Sequence, residues 1–331
     1  MKVELVSSIS TALWADLLNR CPRKSPFQRE GWARALAASV RGFDCLWLVA
    51  TDSGGSYLGG IPLIRERKYL FRRYLSMPYG TCGGPVLAEE DEGLMADLVG
   101  ALARLLAESK THSFFCALPP FSKPWPDHIS SMLGKITAIE SSTHVLRLTD
   151  DFDSIWMGYQ KRNRNIIRKA VKSGAVARVV SGVKPAETLY RLYRDLARNW
   201  HGHVPHPLSL VEACVTYPGR PFAQIWQAVI EDEVHGSLLA IYDDQEVFPW
   251  LMGSTPYSRT LGVNNFLVSE MIRDACNRGL ARVNLGGSMG DPGIEHFKRA
   301  LGAEKTPVTH YVWDSRFAAV ARRARGFIRR G

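Results

Sequence analysis

The stretch "NLGGSMGDPGIEHFKRALGAEK", residues 284–305, decides how this chain is read. It sets glycines, a helix start, a mid-helix lysine and a closing glycine in one short run. A glycine-rich turn entering a helix can cradle a phosphate on exposed backbone N–H groups. This one lacks both the GxGxxG spacing of dinucleotide folds and the Gly-Lys-Ser/Thr ending of a P-loop. Its glycines therefore end a strand and let the chain turn. Asp291 is the expected helix cap, Pro292 the first helical residue, and Ile294, Phe297 and Leu301 form an apolar stripe.

Working outward, the stretch sits in a series of short elements. "NNFLVSEMIRDACNRG" (264–279) has a helical pattern with Phe266, Met271 and Ala275 among its apolar positions, and Gly279 is its expected stop. "ARVNLGG" before the stretch and "THYVW" after it read as strands. Residues 222–255 alternate and turn as paired strands, and "AETLYRLYRDLARNW" (186–200) reads as a helix. A single helix is expected from about Phe152 to Ser173, ending at Gly174.

The first half has the same grammar. "DCLWLVATD", "SYLGGIPLIRER" and "YLSMPYGTCGGPVL" suggest an antiparallel meander, followed by a helix over 90–110, the strand "SFFCALPP" and the strand "THVLRLT". Each half reads as strands, helix, strand, helix, strand without strict βαβ alternation. The expected class is α+β: two lobes, each a mostly antiparallel twisted sheet flanked by helices, at 1–149 and 150–314, then a basic tail at 315–331.

Four segments in order, "KRNRNIIRKAVKSG" (161–174), "YRDLARNWHGHVP" (193–205), "NNFLVSEMIRDACNRG" and the opening stretch, resemble the FemAB-like branch of the GNAT acyltransferase superfamily, which includes exopolysaccharide-associated and CelD-like relatives. The resemblance covers roughly residues 150–313. The first half matches only in layout and in "FQREGW" (27–32). It implies two GNAT-like lobes and transfer of an acyl or aminoacyl group to an amine, forming an amide on a peptidoglycan or exopolysaccharide-related acceptor. No permanently bound cofactor is implied; the activated donor, aminoacyl-tRNA or acyl-CoA, is a co-substrate. The implied partners are an anionic nucleotide- or lipid-linked cell-envelope precursor and tRNA.

Aminolysis of an activated carbonyl builds negative charge on its oxygen, so such a site needs a positive or N–H donor aimed there. The resemblance places Phe297 and Lys298 in the catalytic segment. From the apolar stripe alone, Lys298 reads as a solvated lysine beside a core phenylalanine. No carboxylate pair or His/Asp pair stands out as a base; Tyr311 and Ser288 are secondary candidates.

For substrate binding the candidates are Arg164, from a basic segment without acids, Arg198, His203 and Trp250, the guanidinium groups suiting phosphate. The loop His201, His203, His206 lacks a fourth ligand, so no metal site is expected. The donor question turns on "SRTLGVNN" (258–265). Arg259 and Gly262 fit the Arg-x-x-Gly-x-Gly/Ala pyrophosphate pattern, but Asn264 fills the last small position, which counts against tight CoA binding.

Bulk properties set the limits. The 331 residues carry a formal charge of +10, which favours an anionic partner. Glu4 and Asp16 interrupt the amino-terminal apolar residues, and no charge-free apolar run reaches spanning length, so a cytoplasmic address is expected, at the inner membrane face if the tail docks there. Six scattered cysteines read as reduced packing residues. The tail "SRFAAVARRARGFIRRG" (315–331) interleaves Phe317, Val320 and Ile328 with arginines and suits either an anionic membrane surface or a solvated end. Two other readings stay open: a CoA-dependent N-acyltransferase acting on an amino sugar or amine, and a non-catalytic basic module binding nucleic acid or anionic lipid.

Overall fold

The computed structural model describes residues 1–108, 110–198, 200, 204–219 and 221–319, with backbone alone for Arg259. His203 and the tail from Val320 onward lie outside the described residues. The chain forms two compact units, Met1–Ser141 together with the residues from Pro307 onward, and Ser142–Thr306. It thus leaves the first unit and returns to it, where the sequence suggested two successive lobes.

In the first unit the elements are β1 (Lys2–Val6), α1 (Thr11–Arg20), α2 (Glu30–Ser39), β2 (Phe43–Thr51), β3 (Tyr57–Lys68), β4 (Phe71–Ser76), β5 (Val86–Leu87), α3 (Glu92–Glu108), β6 (Ser113–Ala117) and α4 (Asp127–Ser130). The strands β1, β2, β3 and β4 pair antiparallel in that order, β5 pairs β3, and β4 pairs β6 in parallel. Helix α3 starts where Asp91 Oδ1 accepts from Leu94 N at 3.0 Å, and it buries Leu94, Leu98 and Leu102, one face at a spacing of one turn. That face covers Leu48, Ile61, Leu63 and Phe114 of the sheet.

The strand β7 (Ile136–Arg147) carries the chain into the second unit. There follow α5 (Phe152–Gly158), α6 (Lys161–Lys172), β8 (Val176–Val180), α7 (Val183–Ala197), α8 (Leu208–Val215), β9 (Ala223–Ile230), β10 (Glu233–Tyr242), β11 (Glu246–Ser254), α9 (Pro256–Leu261), α10 (Val263–Asn277), β12 (Arg282–Asn284), α11 (Pro292–Ala300) and β13 (Glu304–Asp314). Strands β8, β9, β10 and β11 are antiparallel neighbours, β11 pairs β12 in parallel, and β12 pairs β7 antiparallel. The far half of β13, His310–Asp314, pairs with β6 and so completes the first unit's sheet. This pairing is why the chain returns.

The single helix expected over 152–173 is two helices. At the break Tyr159 is extended (φ −66°, ψ 146°) and buried, and Gln160 N donates to Ala300 O at 3.0 Å. The freed carbonyls at the end of α5 are satisfied by Arg164, whose Nη1 donates to Met157 O (2.7 Å) and Tyr159 O (2.6 Å). Tertiary packing of Tyr159 overrides the continuous helical pattern.

Helix α10 buries Val263, Phe266, Leu267, Met271, Ile272 and Ala275 against Leu238, Ala240 and Val247 of the sheet. Each fully buried large aliphatic there contributes on the order of 1.5–3 kcal/mol. Met252 packs against the same core, so its neighbour Gly253 faces the other side of the sheet. There α7 lies so close that a Cβ on Gly253 would stand 2.3 Å from Tyr193 N.

Candidate active site

The opening stretch folds as a strand end, two turns and a helix. Gly286 takes φ +77°, and Met289 (φ +48°) with Gly290 (φ +80°) makes a tight turn closed by Asp291 N donating to Ser288 O at 2.9 Å. Asp291 Oδ1 then accepts from Gly293 N (2.7 Å) and Ile294 N (3.0 Å), capping α11 behind Pro292. The cap orients α11 so that Lys298 points back over the glycines.

Lys298 is 6% exposed, and its Nζ donates to Gly286 O and Gly287 O, both at 2.8 Å. It is not the solvated lysine that the apolar stripe suggested. Burial pulls its pKa down to about 8. It is still mostly charged at neutral pH. An ammonium carries three donors, so two carbonyls leave one N–H for a further acceptor. Phe297, beside it, packs half-buried against the core of the second unit.

His144, on β7, was not singled out by the sequence reading. It is 1% exposed, its Nδ1 lies 3.4 Å from Ser288 Oγ, and its Nε2 is buried without a partner. Burial first, and the Lys298 charge second, hold its pKa below the ordinary value, so it is neutral at pH 7. Its backbone N–H also donates to Gly286 O, at 3.1 Å.

The glycine turn is held from beneath. Asn284 Oδ1 accepts from Gly286 N (3.0 Å) and from Thr143 Oγ1 (2.6 Å), while Asn284 Nδ2 reaches Glu246 Oε1 at 3.4 Å. Glu246 is fully buried and paired with Arg282 Nε at 2.6 Å. Desolvation outweighs Arg282 and pushes the Glu246 carboxyl up to about 7. The folded state thus keeps a proton that the unfolded chain releases from about pH 4.5. Wild-type stability should therefore fall as pH rises from about 4.5 to 7, and Glu246→Gln should flatten that slope, read as melting temperature against pH.

The parallel register of β11 and β12 spans Glu246↔Arg282 and Val247↔Val283. Beyond it β11 runs on through Phe248 and Trp250, while the segment after β12 turns away at Leu285 and Gly286; a Cβ on Gly286 would approach the Phe248 ring to 3.0 Å. Trp250 stacks on His206 (4.9 Å between centroids, 18°), which in turn stacks on Tyr193 (6.1 Å, 14°).

The other candidates fall elsewhere. Arg164 Nη1 is committed to the carbonyls at the end of α5, a structural reason for an arginine that the sequence assigned to a ligand. Arg198 is exposed at the end of α7, 3.4 Å from Asp195. Tyr311 belongs to the first unit's core, stacked on Trp125 at 4.1 Å with its hydroxyl accepting from Trp125 N at 2.6 Å, which replaces its reading as a secondary catalytic group. "SRTL" is not an open loop: Arg259 lies in α9, and Gly262 (φ +74°) is the helix junction. A Cβ on Gly262 would strike Ile166 Cγ2 at 2.2 Å, so packing against α6 already requires glycine there. Asn264 Nδ2 donates to Ser254 Oγ at 3.1 Å.

Residues 159–299 match the family model described as an acetyltransferase (GNAT) domain, which spans the glycine turn and ends just past Lys298. Over those residues the chain has the fold of a GNAT domain, and over nearly its whole length it is similar in fold to solved structures that include a tandem GNAT protein. The crystal structure of FemX aligns over 93% of this chain and 97% of its own at TM-score 0.71 and 12% identity. A tandem GNAT protein from the clavulanic acid biosynthesis pathway aligns over 95% and 98% (TM-score 0.57, 12%), and L-PGS from Bacillus licheniformis over 93% and 92% (0.58, 11%). No curated protein matches the sequence. At these identities the likeness is one of fold. The glycine turn, Lys298 and Ser288, all inside the matched residues, join His144 of β7 in a buried polar cluster at the point where β11 and β12 diverge.

Proposed function

We propose that this chain is an acyl or aminoacyl transferase that forms an amide on an amine of a cell-envelope or exopolysaccharide-related acceptor. The observation that carries the reading is Lys298: a buried, charged side chain within a GNAT domain, fixed by two glycine carbonyls, with one N–H to spare. In aminolysis the acceptor nitrogen attacks the activated carbonyl, and its oxygen becomes an oxyanion. The third N–H of Lys298 donates to that oxygen, in a site dry enough for the charge to act strongly. As the tetrahedral intermediate collapses, the thiolate of CoA or the ribose oxygen of tRNA leaves, and the former amine gives up a proton. The neutral His144 imidazole is the proposed acceptor of that proton, with the Ser288 hydroxyl, 3.4 Å from its Nδ1, able to relay it.

The acceptor class follows the FemAB-like resemblance and the charge of +10, which suits a nucleotide- or lipid-linked precursor at the cytoplasmic face. Arg198 and Trp250 are the described side chains proposed to meet it. Aminoacyl-tRNA is the favoured donor, because Gly262 has a packing role and Asn264 occupies the small position of the pyrophosphate pattern.

The test supplies the protein with aminoacyl-tRNA or acetyl-CoA and a UDP-linked or lipid-linked glycan bearing a free amine, and reads the acceptor by mass spectrometry. An amide mass increment with aminoacyl-tRNA is expected. An increment with acetyl-CoA alone would move the reading to a CoA-dependent N-acyltransferase, and consumption of neither donor would overturn it.

A further inference from the structure

The end of the β3–β4 hairpin has a composition that turn geometry does not explain. Lys68 and Phe71 are the last paired residues, so Tyr69 and Leu70 form a two-residue loop. Such loops favour Gly, Asn or Asp, because they need positive φ. Here Tyr69 adopts φ +56°. Both loop residues are also almost wholly in solvent, Tyr69 at 97% and Leu70 at 93% exposed. An aromatic and an aliphatic side chain thus occupy a strained, fully wet position where small polar residues would serve the fold better.

What surrounds the tip gives its occupant. "RERKYLFRR" (65–73) sets five basic residues, Arg65, Arg67, Lys68, Arg72 and Arg73, against the single acid Glu66, which pairs with Arg73, while Arg65 and Arg67 share Asp44. The base is rigid: Phe71 stacks on His112 at 4.4 Å, and Arg72 N donates to His112 Nδ1 at 3.1 Å. Phe317, 65% exposed, lies 6.1 Å from Phe71 and adds a third apolar ring at the same end, where the chain enters its arginine-rich tail. An open groove of about 1040 Å³ beside the tip is lined by Arg41, Lys68, Arg73 and Tyr79.

We infer that the β3–β4 tip is a docking element for an anionic bilayer, with Tyr69 and Leu70 entering the interface and the basic residues around them meeting lipid headgroups. Apolar side chains ringed by Lys and Arg are the combination that anionic membranes bind, by burial and charge together. The aliphatic Leu70 at the apex favours hydrocarbon over nucleobases, which are held by flat aromatic platforms. The inference is independent of the transfer chemistry.

The experiment sediments the full chain with phosphatidylcholine vesicles, with and without phosphatidylglycerol. Binding is expected only with phosphatidylglycerol, weakening with salt, and Tyr69→Ser combined with Leu70→Ser should lower it by roughly tenfold. Both residues are exposed, so the double variant should melt as the wild type does. Leu70→Trp should gain fluorescence quenched by brominated phosphatidylglycerol. No binding to anionic vesicles, binding unchanged in the double variant, or a tip that instead mediates tRNA binding or self-association would overturn the inference.

Discussion

Lys298→Met should lower kcat for amide formation by about 10²–10³-fold while leaving KM for the donor nearly unchanged. Methionine keeps the length and apolar body of the side chain but has no N–H for the oxyanion. The expected size is that of losing one preorganised donor in a water-poor site, and the burial of Lys298 makes the site water-poor. Folding should respond in two opposing ways. The variant removes an ammonium whose burial is unfavourable, as its pKa near 8 records, and it also deprives two glycine carbonyls of a donor. Gly286 O keeps the His144 N–H as a donor, so the loss falls mainly on Gly287 O, at about 1–3 kcal/mol, and the net change is a modest loss of stability. Steady-state kinetics on folded protein checks this, and a change in kcat below about threefold would remove Lys298 from the chemistry.

Gly253→Ala is expected to be strongly destabilising for so small a change, at about 3 kcal/mol or more. The added Cβ would lie 2.3 Å from Tyr193 N and 2.4 Å from the carbonyl carbon of Leu192. These are backbone atoms inside a fifteen-residue helix, so no side-chain rotation relieves the clash. Either α7 moves off β11 or β11 bends. Because α7 carries Tyr193, which stacks on His206 and through it on Trp250, the shift should also disturb that aromatic stack. Urea unfolding measures it; a loss under about 0.5 kcal/mol would contradict the close packing.

The class of fold was legible because its signals are local. The cap at Asp291 and Pro292, the apolar face of α10 and the alternation of β9 to β11 are all written within a dozen residues. The break between α5 and α6 was not, because the pattern of 152–173 is helical throughout. What stops it is Tyr159 packing in the core and Gln160 bonding to Ala300, more than a hundred residues away. The short helix α8 and the amino-terminal helices α1 and α2 were not anticipated.

At the site, Lys298 was visible through the segment around it, yet its burial was not, since that depends on a turn folding back over α11. His144 sits in "THVLRLT", which reads simply as a strand. Its only sequence signal is a polar Thr-His pair opening an apolar run. Its role beside Ser288 arises from the pairing of β7 with β12, a contact across some 140 residues of chain. Arg164 shows the opposite case: an arginine in a basic run suggests a ligand, and a helix end gives its Nη1 partners that the sequence does not reveal.

The most direct measurement is the pH dependence of kcat in the wild type and in Lys298→Arg. If a charged Lys298 stabilises the oxyanion, the wild-type rate should fall above about pH 8 as that ammonium loses its proton, even though the acceptor amine becomes more nucleophilic there. Arginine stays charged throughout, so the variant should be slower at neutral pH and should lack the falling limb. A wild-type rate that climbs steadily through pH 8 to 10 would contradict the account, because it would mean that the charge on Lys298 is not used.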